Sequence, residues 1–280
     1  MGEGKLRVGT SSWSSADWRG VFYPEGADPA TFLSQYAGAF DTVECDATFY
    51  RTPSARMVDG WRERTPEGFL FAAKLPKEIT HDRGLIDCAA PLREFLAAME
   101  RLGDKLGPML AQVAYVAKGK DAGEYATGDD FRGRLAAFLE SWPEERPLAV
   151  EVRNARWIAP PLLDLLRARG VALAYTAYYT MPGPAELFRG PDPQTAGFVY
   201  ARFIGDHKRM DARVAALREE GTRSADWNAL AVDRTDEMGR WAAALREHGR
   251  GTVLAYFNNH YAGFGPGSAR LFRDLWERRR

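Results

Sequence analysis

A chain of 280 residues, 45% hydrophobic and 27% charged, carries ample apolar material for a core, which excludes intrinsic disorder. Its 38 Lys plus Arg balance 38 Asp plus Glu, so no overall field draws it toward nucleic acid or an anionic membrane, and any anion site must be local. Two cysteines, Cys45 and Cys88, without CxxC or Cys/His clustering, exclude a disulfide framework and read as buried thiols in a reducing compartment.

Short β-rich runs alternate with amphipathic helical stretches along the chain. LRVGTSS at 6–12 precedes a helix over 32–40, TVECDAT at 42–48 one over 55–64, and LFAAKLP at 70–76 one over 92–101. MLAQVAY at 109–115 leads to a helix over 131–141, and LAVEVRN at 148–154 to one over 161–169. ALAYTAY at 172–178 runs into MPGP and RGPDP segments with at most a short helix between them, so the sixth βα unit is irregular. FVYARFI at 198–204 and TVLAYFN at 252–258 complete the set, followed by helices over 227–248 and 268–278. Eight such units predict an α/β fold, a single (β/α)8 TIM-type barrel over 1–280. An open doubly wound sheet is the alternative, and no GxGxxG follows an early strand to support it. The N-terminal MGEGKLRVGT has no apolar core of signal-peptide length and no stretch of about 18 apolar residues occurs. A cytoplasmic location and no membrane partner are therefore expected.

Side chains on a strand alternate between faces, and helices cover the outside of such a barrel, so apolar residues go outward. Val43, Cys45 and Ala47 then face the helices and Glu44 and Asp46 the axis; Val150 and Val152 go out, Glu151 and Arg153 in. The seventh strand turns Tyr200 and Arg202 inward and the eighth Tyr256 and Asn258, while Lys74 and Gln112 point inward from strands three and four. Three acids, Glu44, Asp46 and Glu151, thus meet three bases, Lys74, Arg153 and Arg202. Burial demands such balance, since an unpaired charge out of water costs several kcal/mol. One reading is a salt-bridged plug. The other is a site, because these residues lie in the C-terminal halves of their strands, where barrel enzymes place their chemistry. A lysine in such company is a candidate for a shifted pKa, suited to a base or a Schiff-base nucleophile.

Aromatics crowd the loops above that end: Trp13, Trp18, Phe22 and Tyr23, then Phe49 and Tyr50, then Trp157. Aromatic faces over a polar floor suit a sugar ring or a nucleobase, although such rings also pack loop against loop. Gly263, Gly265 and Gly267 precede the last helix where barrels often bind phosphate, a weak signal that a flexible turn explains as well. Of the four histidines, His248 sits near a helix end, His81 and His207 follow strand ends within reach of the pocket, and His260 follows Asn258 and Asn259. None has metal-ligand spacing. A divalent metal on Glu44, Glu151 and one histidine lacks sequence support, so no cofactor or metal is expected.

The segments GTSSWSSADWRGVFYP (9–24), VECDATFYRTP (43–53), WRERTPEGFLFAAKLPKEITH (61–81), LGPMLAQV (106–113), EVRNARW (151–157), VYARFIG (199–205) and YFNN (256–259) resemble the YecE-like family, domain of unknown function 72 (DUF72). The resemblance spans nearly the whole chain and implies a TIM-type barrel of unassigned function. The family's characteristic positions correspond to Trp13, Trp18, Glu44, Thr48, Phe49, Tyr50, Lys74, Gln112, Glu151, Arg153, Trp157, Arg202, Tyr256, Asn258 and Asn259. The chain departs from the pattern at Asn154 and Ile204, where histidines are frequent, at His260, where Asp is frequent, and in the YYTMPGP stretch. Any mechanism using a strand-seven histidine is thereby weakened.

The leading expectation is an enzyme, a hydrolase, isomerase or lyase, acting on a small polar, anionic, sugar-like or nucleotide-like molecule. Glu44 and Glu151 would be the general acid/base pair, with Lys74 setting their protonation or acting as nucleophile. Arg153 and Arg202 would hold a phosphate or carboxylate through forked hydrogen bonds. Trp13, Trp18, Asp46, Tyr50, Gln112, Trp157, Tyr200, Tyr256, Asn258 and Asn259 complete the expected binding set. The alternatives are a nucleic-acid-associated protein, with loop aromatics stacking bases and arginines on phosphates, and a non-catalytic ligand-binding barrel. The oligomeric state is not legible.

Overall fold

The computed structural model describes residues 5–116 and 127–278. Eight parallel strands, β1 (Leu6–Thr10), β2 (Thr42–Cys45), β3 (Leu70–Lys74), β4 (Leu106–Gln112), β5 (Leu148–Glu151), β6 (Ala172–Ala177), β7 (Phe198–Phe203) and β8 (Thr252–Phe257), pair in the order β1-β8-β7-β6-β5-β4-β3-β2. Helices α1 (Phe32–Ala37), α2 (Ala55–Glu63), α3 (Ala89–Met99), α4 (Gly128–Glu140), α5 (Pro160–Ala168), α6 (Pro184–Leu187), α7 (His207–Glu219), α8 (Thr235–His248), α9 (Asn259–Ala262) and α10 (Gly265–Glu277) occupy the connections. The architecture is a nearly closed (β/α)8 TIM barrel, and the sixth unit holds only the four-residue α6.

At the ends of the strand order, β1 and β2 are joined through a side chain. The Thr10 N–H donates to the Tyr36 hydroxyl at 2.8 Å, and that hydroxyl donates to the Thr42 carbonyl at 3.1 Å. Gly9 makes the approach feasible, because a Cβ there would lie 2.1 Å from the Thr42 carbonyl oxygen.

Alternation divides the core in two. Val43, Cys45, Phe71, Val150, Val199, Phe203, Val253 and Phe257 face the helices in the larger cluster, and both cysteines are buried and unpaired. Ala72, Leu110, Ala149, Ala172, Ala174, Tyr200, Leu254 and Tyr256 fill the axis. Alanines from β3, β5 and β6 leave room for the Tyr200 and Tyr256 rings, whose centroids are 5.2 Å apart.

Several boundaries differ from the sequence reading. Strand β4 starts three residues earlier than expected, at Leu106, and β2 and β5 end at Cys45 and Glu151, where 3-10 turns Asp46–Phe49 and Ala155–Trp157 take over. Alternation does not extend through a turn, so Ala47 is exposed rather than packed on the helices. Helix α7 was not expected. It is capped by Asp206, whose carboxylate accepts from the Arg209 N–H at 3.2 Å, but it buries only Met210 and Val214, too thin a stripe to read as a period. The helix expected over 227–248 begins at Thr235, where Asp233 accepts from the Thr235 N–H and hydroxyl. Gly265 and Gly267 lie inside the first turn of α10, and the Gly265 N–H already donates to Asn259 Oδ1 at 2.9 Å. That amide is therefore spent within the fold, against the phosphate-loop reading. No helix among the described residues is long and apolar enough to cross a membrane.

Candidate active site

The inward residues at the C-terminal ends of β2, β5 and β7 form one network along the axis. Arg202 donates through Nε and Nη2 to the two carboxylate oxygens of Glu44, at 2.8 and 2.7 Å, and through Nη1 to Glu151. The Tyr200 hydroxyl adds a bond to Glu44 Oε2 at 2.7 Å. Side-chain exposure is 0% for both glutamates and 2% for Arg202, so the lower part of the cluster is a sealed plug. Burial pushes the Glu151 carboxyl up, but the charges of Arg153 and Arg202 outweigh it and hold it below the usual range.

Above the plug the cluster opens. Arg153 approaches Glu151 Oε1 through Nε at 2.5 Å and lies over the Tyr178 ring, 4.6 Å from its centroid. Lys74 pairs with Asp46 Oδ1 at 3.1 Å and sits 3.8 Å over the Phe49 ring. The Thr48 hydroxyl, 2.6 Å from the Lys74 carbonyl and 2.7 Å from that of Cys45, ties the turn after β2 to the end of β3. Asp46 Oδ1, Glu151 Oε1 and Arg153 Nε are buried but have no aligned hydrogen-bond partner among the described residues, so these close contacts are charge pairs without full satisfaction. Burial pulls the Lys74 ammonium below its ordinary value; Asp46 opposes that and Arg202 reinforces it. His81 follows in a π-helical turn, Glu78–Asp82, nearly perpendicular to the Phe49 ring with centroids 5.0 Å apart.

The structure brings together Glu44, Asp46, Lys74, Glu151, Arg153, Tyr200 and Arg202. Others of the expected set are engaged elsewhere. Trp18 is buried among Phe22, Tyr23 and Phe264 in the outer core, a correction to its placement over the pocket. Trp13 packs edge-on against Trp61 and Phe71, and Trp157 stacks on Phe131 at 4.8 Å. Tyr256 is sealed and shares a 2.8 Å bond with Thr42, and the Gln112 amide donates to the Val113 carbonyl at 2.7 Å. Asn258 caps α9 by accepting from the His260 N–H, and Asn259 pins Gly265. Tyr50 is exposed to solvent. Asn154, one of the departures from the family pattern, exchanges two bonds with the Val116 backbone at 3.0 and 2.8 Å and so fastens the β5 end to the segment after β4. His260 faces Asp211 Oδ1 at 3.1 Å and stacks on His207 at 4.2 Å, linking α9 to α7.

Sequence reasoning missed Tyr178, the ring under Arg153. Its signal was present, since Tyr178 continues the inward register of Ala172 and Ala174. No group of three or more His, Cys, Asp or Glu suited to a metal occurs among the described residues. A groove of about 840 Å³ opens to one side, lined by Arg209, Arg213, Arg234 and Arg240 with Asp206, Asp233, Asp236 and Glu237. Its charges balance and Asp206 caps α7; it holds one buried unsatisfied atom, Arg234 Nε, against Asp46 Oδ1, Glu151 Oε1 and Arg153 Nε in the axial cluster, which is therefore the stronger candidate.

Similar proteins carry the same fold without an assigned reaction. A crystal structure of a DUF72 family protein from Thermotoga maritima superposes with a TM-score of 0.73 at 26% identity, covering 98% of this chain and 100% of that one. One from Enterococcus faecalis gives 0.70 at 20% identity, covering 98% and 96%. UPF0759 protein YecE of Escherichia coli is 31% identical over 155 residues, 55% of this chain and 50% of that protein, so the chain spans about half the length of that relative. UPF0759 protein YunF of Bacillus subtilis is 29% identical over 175 residues, 59% and 58% of the two chains. The model of the family described as protein of unknown function DUF72 matches residues 7–280, and the chain belongs to that family.

Proposed function

We propose that the barrel mouth is the site of an enzyme acting on a small, polar, anionic molecule of sugar-like or nucleotide-like chemistry. The observation that carries this reading is the state of Lys74 and Arg153. Their side chains are only 8% and 13% exposed, yet each has a single carboxylate partner among the described residues. An ammonium has three donors and a guanidinium five, so both keep N–H groups for an incoming phosphate or carboxylate. Phe49 and Tyr178 present ring faces to the two cations and exclude water around them, which strengthens their pull on an anion.

Roles follow from burial. Glu44 and Glu151 reach no solvent and are occupied by arginines, so they act as anchors that aim Arg202 and Arg153 rather than as the acid/base pair. Asp46, 30% exposed, and Lys74, with its lowered pKa, are the groups placed to exchange protons or, for Lys74, to attack a carbonyl. Hydrolysis, isomerisation and lyase chemistry all fit such a set. The test is a melting series against sugar phosphates, nucleotides and organic acids. A molecule that binds only the folded state raises Tm in proportion to its affinity. The wild type should shift with at least one class and Arg153→Met and Lys74→Met should not; equal shifts in all three proteins would remove the site from the mouth.

A second reading has its own observation. Tyr50, Tyr115 and Tyr179, after β2, β4 and β6, are among the most exposed large side chains, and Arg51 and Arg156 are exposed on the same face. Single-stranded nucleic acid could stack on such a rim. Retention of single strands that weakens steeply with salt would favour it.

A further inference from the structure

Glu44 and Glu151 are sealed beneath Arg202, and Asp46 and Lys74 are paired with each other at 3.1 Å, so a group outside these pairs is the better placed to accept a proton. We infer that His81 is the general base of this site and that Nε2 is the atom that takes the proton. The inference rests on reading the mouth as a site for an anionic substrate, and it goes further by naming the base.

The tautomer comes from hydrogen bonding. His81 Nδ1 lies 2.9 Å from Thr80 Oγ1, and that hydroxyl in turn lies 3.5 Å from the Pro76 carbonyl. A carbonyl only accepts, so the hydroxyl hydrogen turns to it and Oγ1 accepts from Nδ1–H. Nε2 is then left with its lone pair.

Placement comes from Phe49. His81 stands nearly perpendicular to that ring with centroids 5.0 Å apart, while Lys74 sits 3.8 Å from its centroid, so imidazole and ammonium flank one side chain at the mouth. The backbone that delivers His81 is unusual. A π-helical turn (Glu78–Asp82) is followed by left-handed Gly84 and by two non-glycine residues with positive φ, Leu85 at 67° and Asp87 at 51°. Both π turns and backbone strain of this kind concentrate at functional sites.

The surroundings of the ring explain how it would act. Burial is the largest cause that holds the ring down to about 4; Lys74 on β3, Lys77 just before the turn and Arg153 beyond β5 add to it, and Asp82 opposes them. A base that weak would be poor by itself. An anionic substrate on Lys74 and Arg153 offsets two of the three cations, so the part of the shift that those charges cause is relieved and the proton affinity of Nε2 rises as the substrate arrives. The substrate X–H bond breaks with its electrons staying on X, and the new bond is Nε2–H.

Diethyl pyrocarbonate tests this on the full chain, since a neutral imidazole Nε2 attacks its carbonyl and expels monoethyl carbonate, which decays to ethanol and carbon dioxide. Modification of the His81 peptide is followed by mass spectrometry from pH 3.5 to 8, beside N-acetylhistidine. His81 should reach half its plateau rate near pH 4, against about 6.5 for the free side chain. Lys74→Met should move that midpoint up toward the ordinary value, Lys74→Arg should leave it in place, and inorganic phosphate should raise it in the wild type. An inert His81 at every pH, or a midpoint indifferent to Lys74→Met, overturns the assignment. Phosphate without effect, with the Lys74 dependence intact, counts against the anion site and leaves His81 as the base. Tm stabilisation by phosphate with an inert His81 does the reverse.

Discussion

Replacing Arg202 by Met tests the buried network, because it keeps much of the side-chain volume and deletes the charge that holds Glu44 and Glu151. Both carboxylates have 0% side-chain exposure, so neither recovers hydration when the guanidinium goes. Removing one partner of a buried pair costs about 3–5 kcal/mol; here Glu44 loses both of its guanidinium bonds and Glu151 is left with Arg153 alone, which places the expected loss near the upper end. Against a total of about 5–15 kcal/mol for a folded protein, that approaches the margin of stability. At roughly 2 °C per kcal/mol for a domain of this size, Tm should fall by about 10 °C. The measurement is urea unfolding of wild type, Arg202→Met and the triple variant Glu44→Gln, Glu151→Gln, Arg202→Met. Removing the stranded charges should restore most of the loss. The pH dependence supplies an independent check. In the wild type the depressed pKa of Glu151 gives stability that is present above the unfolded value of about 4.3 and is lost as pH falls through the lower folded value. In Arg202→Met a sealed carboxylate left without its guanidinium is penalised only while it is ionised, so the added cost is largest at neutral pH and shrinks on acidification. The two stability curves should therefore converge on acidification. A loss below about 1 kcal/mol, the range of an exposed pair, or curves that stay parallel, would refute the sealed network.

Arg153→Met should cost the unliganded protein only about 1 kcal/mol, because Glu151 keeps Arg202, while ligand-dependent Tm shifts disappear; calorimetric melts with and without anions read both. Tyr200→Phe removes one donor to a buried carboxylate and should lower stability by about 1.5–3 kcal/mol without altering any anion shift. Tyr36→Phe leaves the Thr10 N–H and the Thr42 carbonyl unpaired at the β1–β2 seam, at about 1–3 kcal/mol; hydrogen exchange at Thr10 should accelerate by more than at the β7–β8 ladder, and uniform acceleration would argue against a local seam.

The barrel was legible because strand alternation is physically simple. Outward valines and phenylalanines must pack on helices, so Glu44, Glu151 and Arg202 had to point inward, and they do. The reading failed where the chain leaves the strand. Ala47, expected against the helices, lies in a 3-10 turn where period two has no meaning and is exposed, and α7 buries too few side chains to announce itself. Aromatic loops were legible as aromatic but not as to what they touch: Trp18 and Trp157 have the composition of a sugar platform and the surroundings of a core. Nor does composition distinguish an inward carboxylate that is open from one already gripped by arginine.

The plug and the proposed site are successive layers of one structure. A barrel axis filled by alanine and tyrosine rather than branched aliphatics has space for ionic side chains, and the two glutamates neutralise Arg202 so that it is tolerated with 2% side-chain exposure. Glu151 then faces two ways: one oxygen takes Arg202, and the other meets Arg153 without hydrogen-bond alignment. The closed layer thus fixes the position of a cation in the open layer. An arginine aimed by a buried carboxylate loses little further freedom when it grips an anion, and that preorganisation is what a rigid site contributes to binding. The same geometry explains why Lys74 and Arg153 differ from the many paired cations on the surface: their partners orient them without using up their donors.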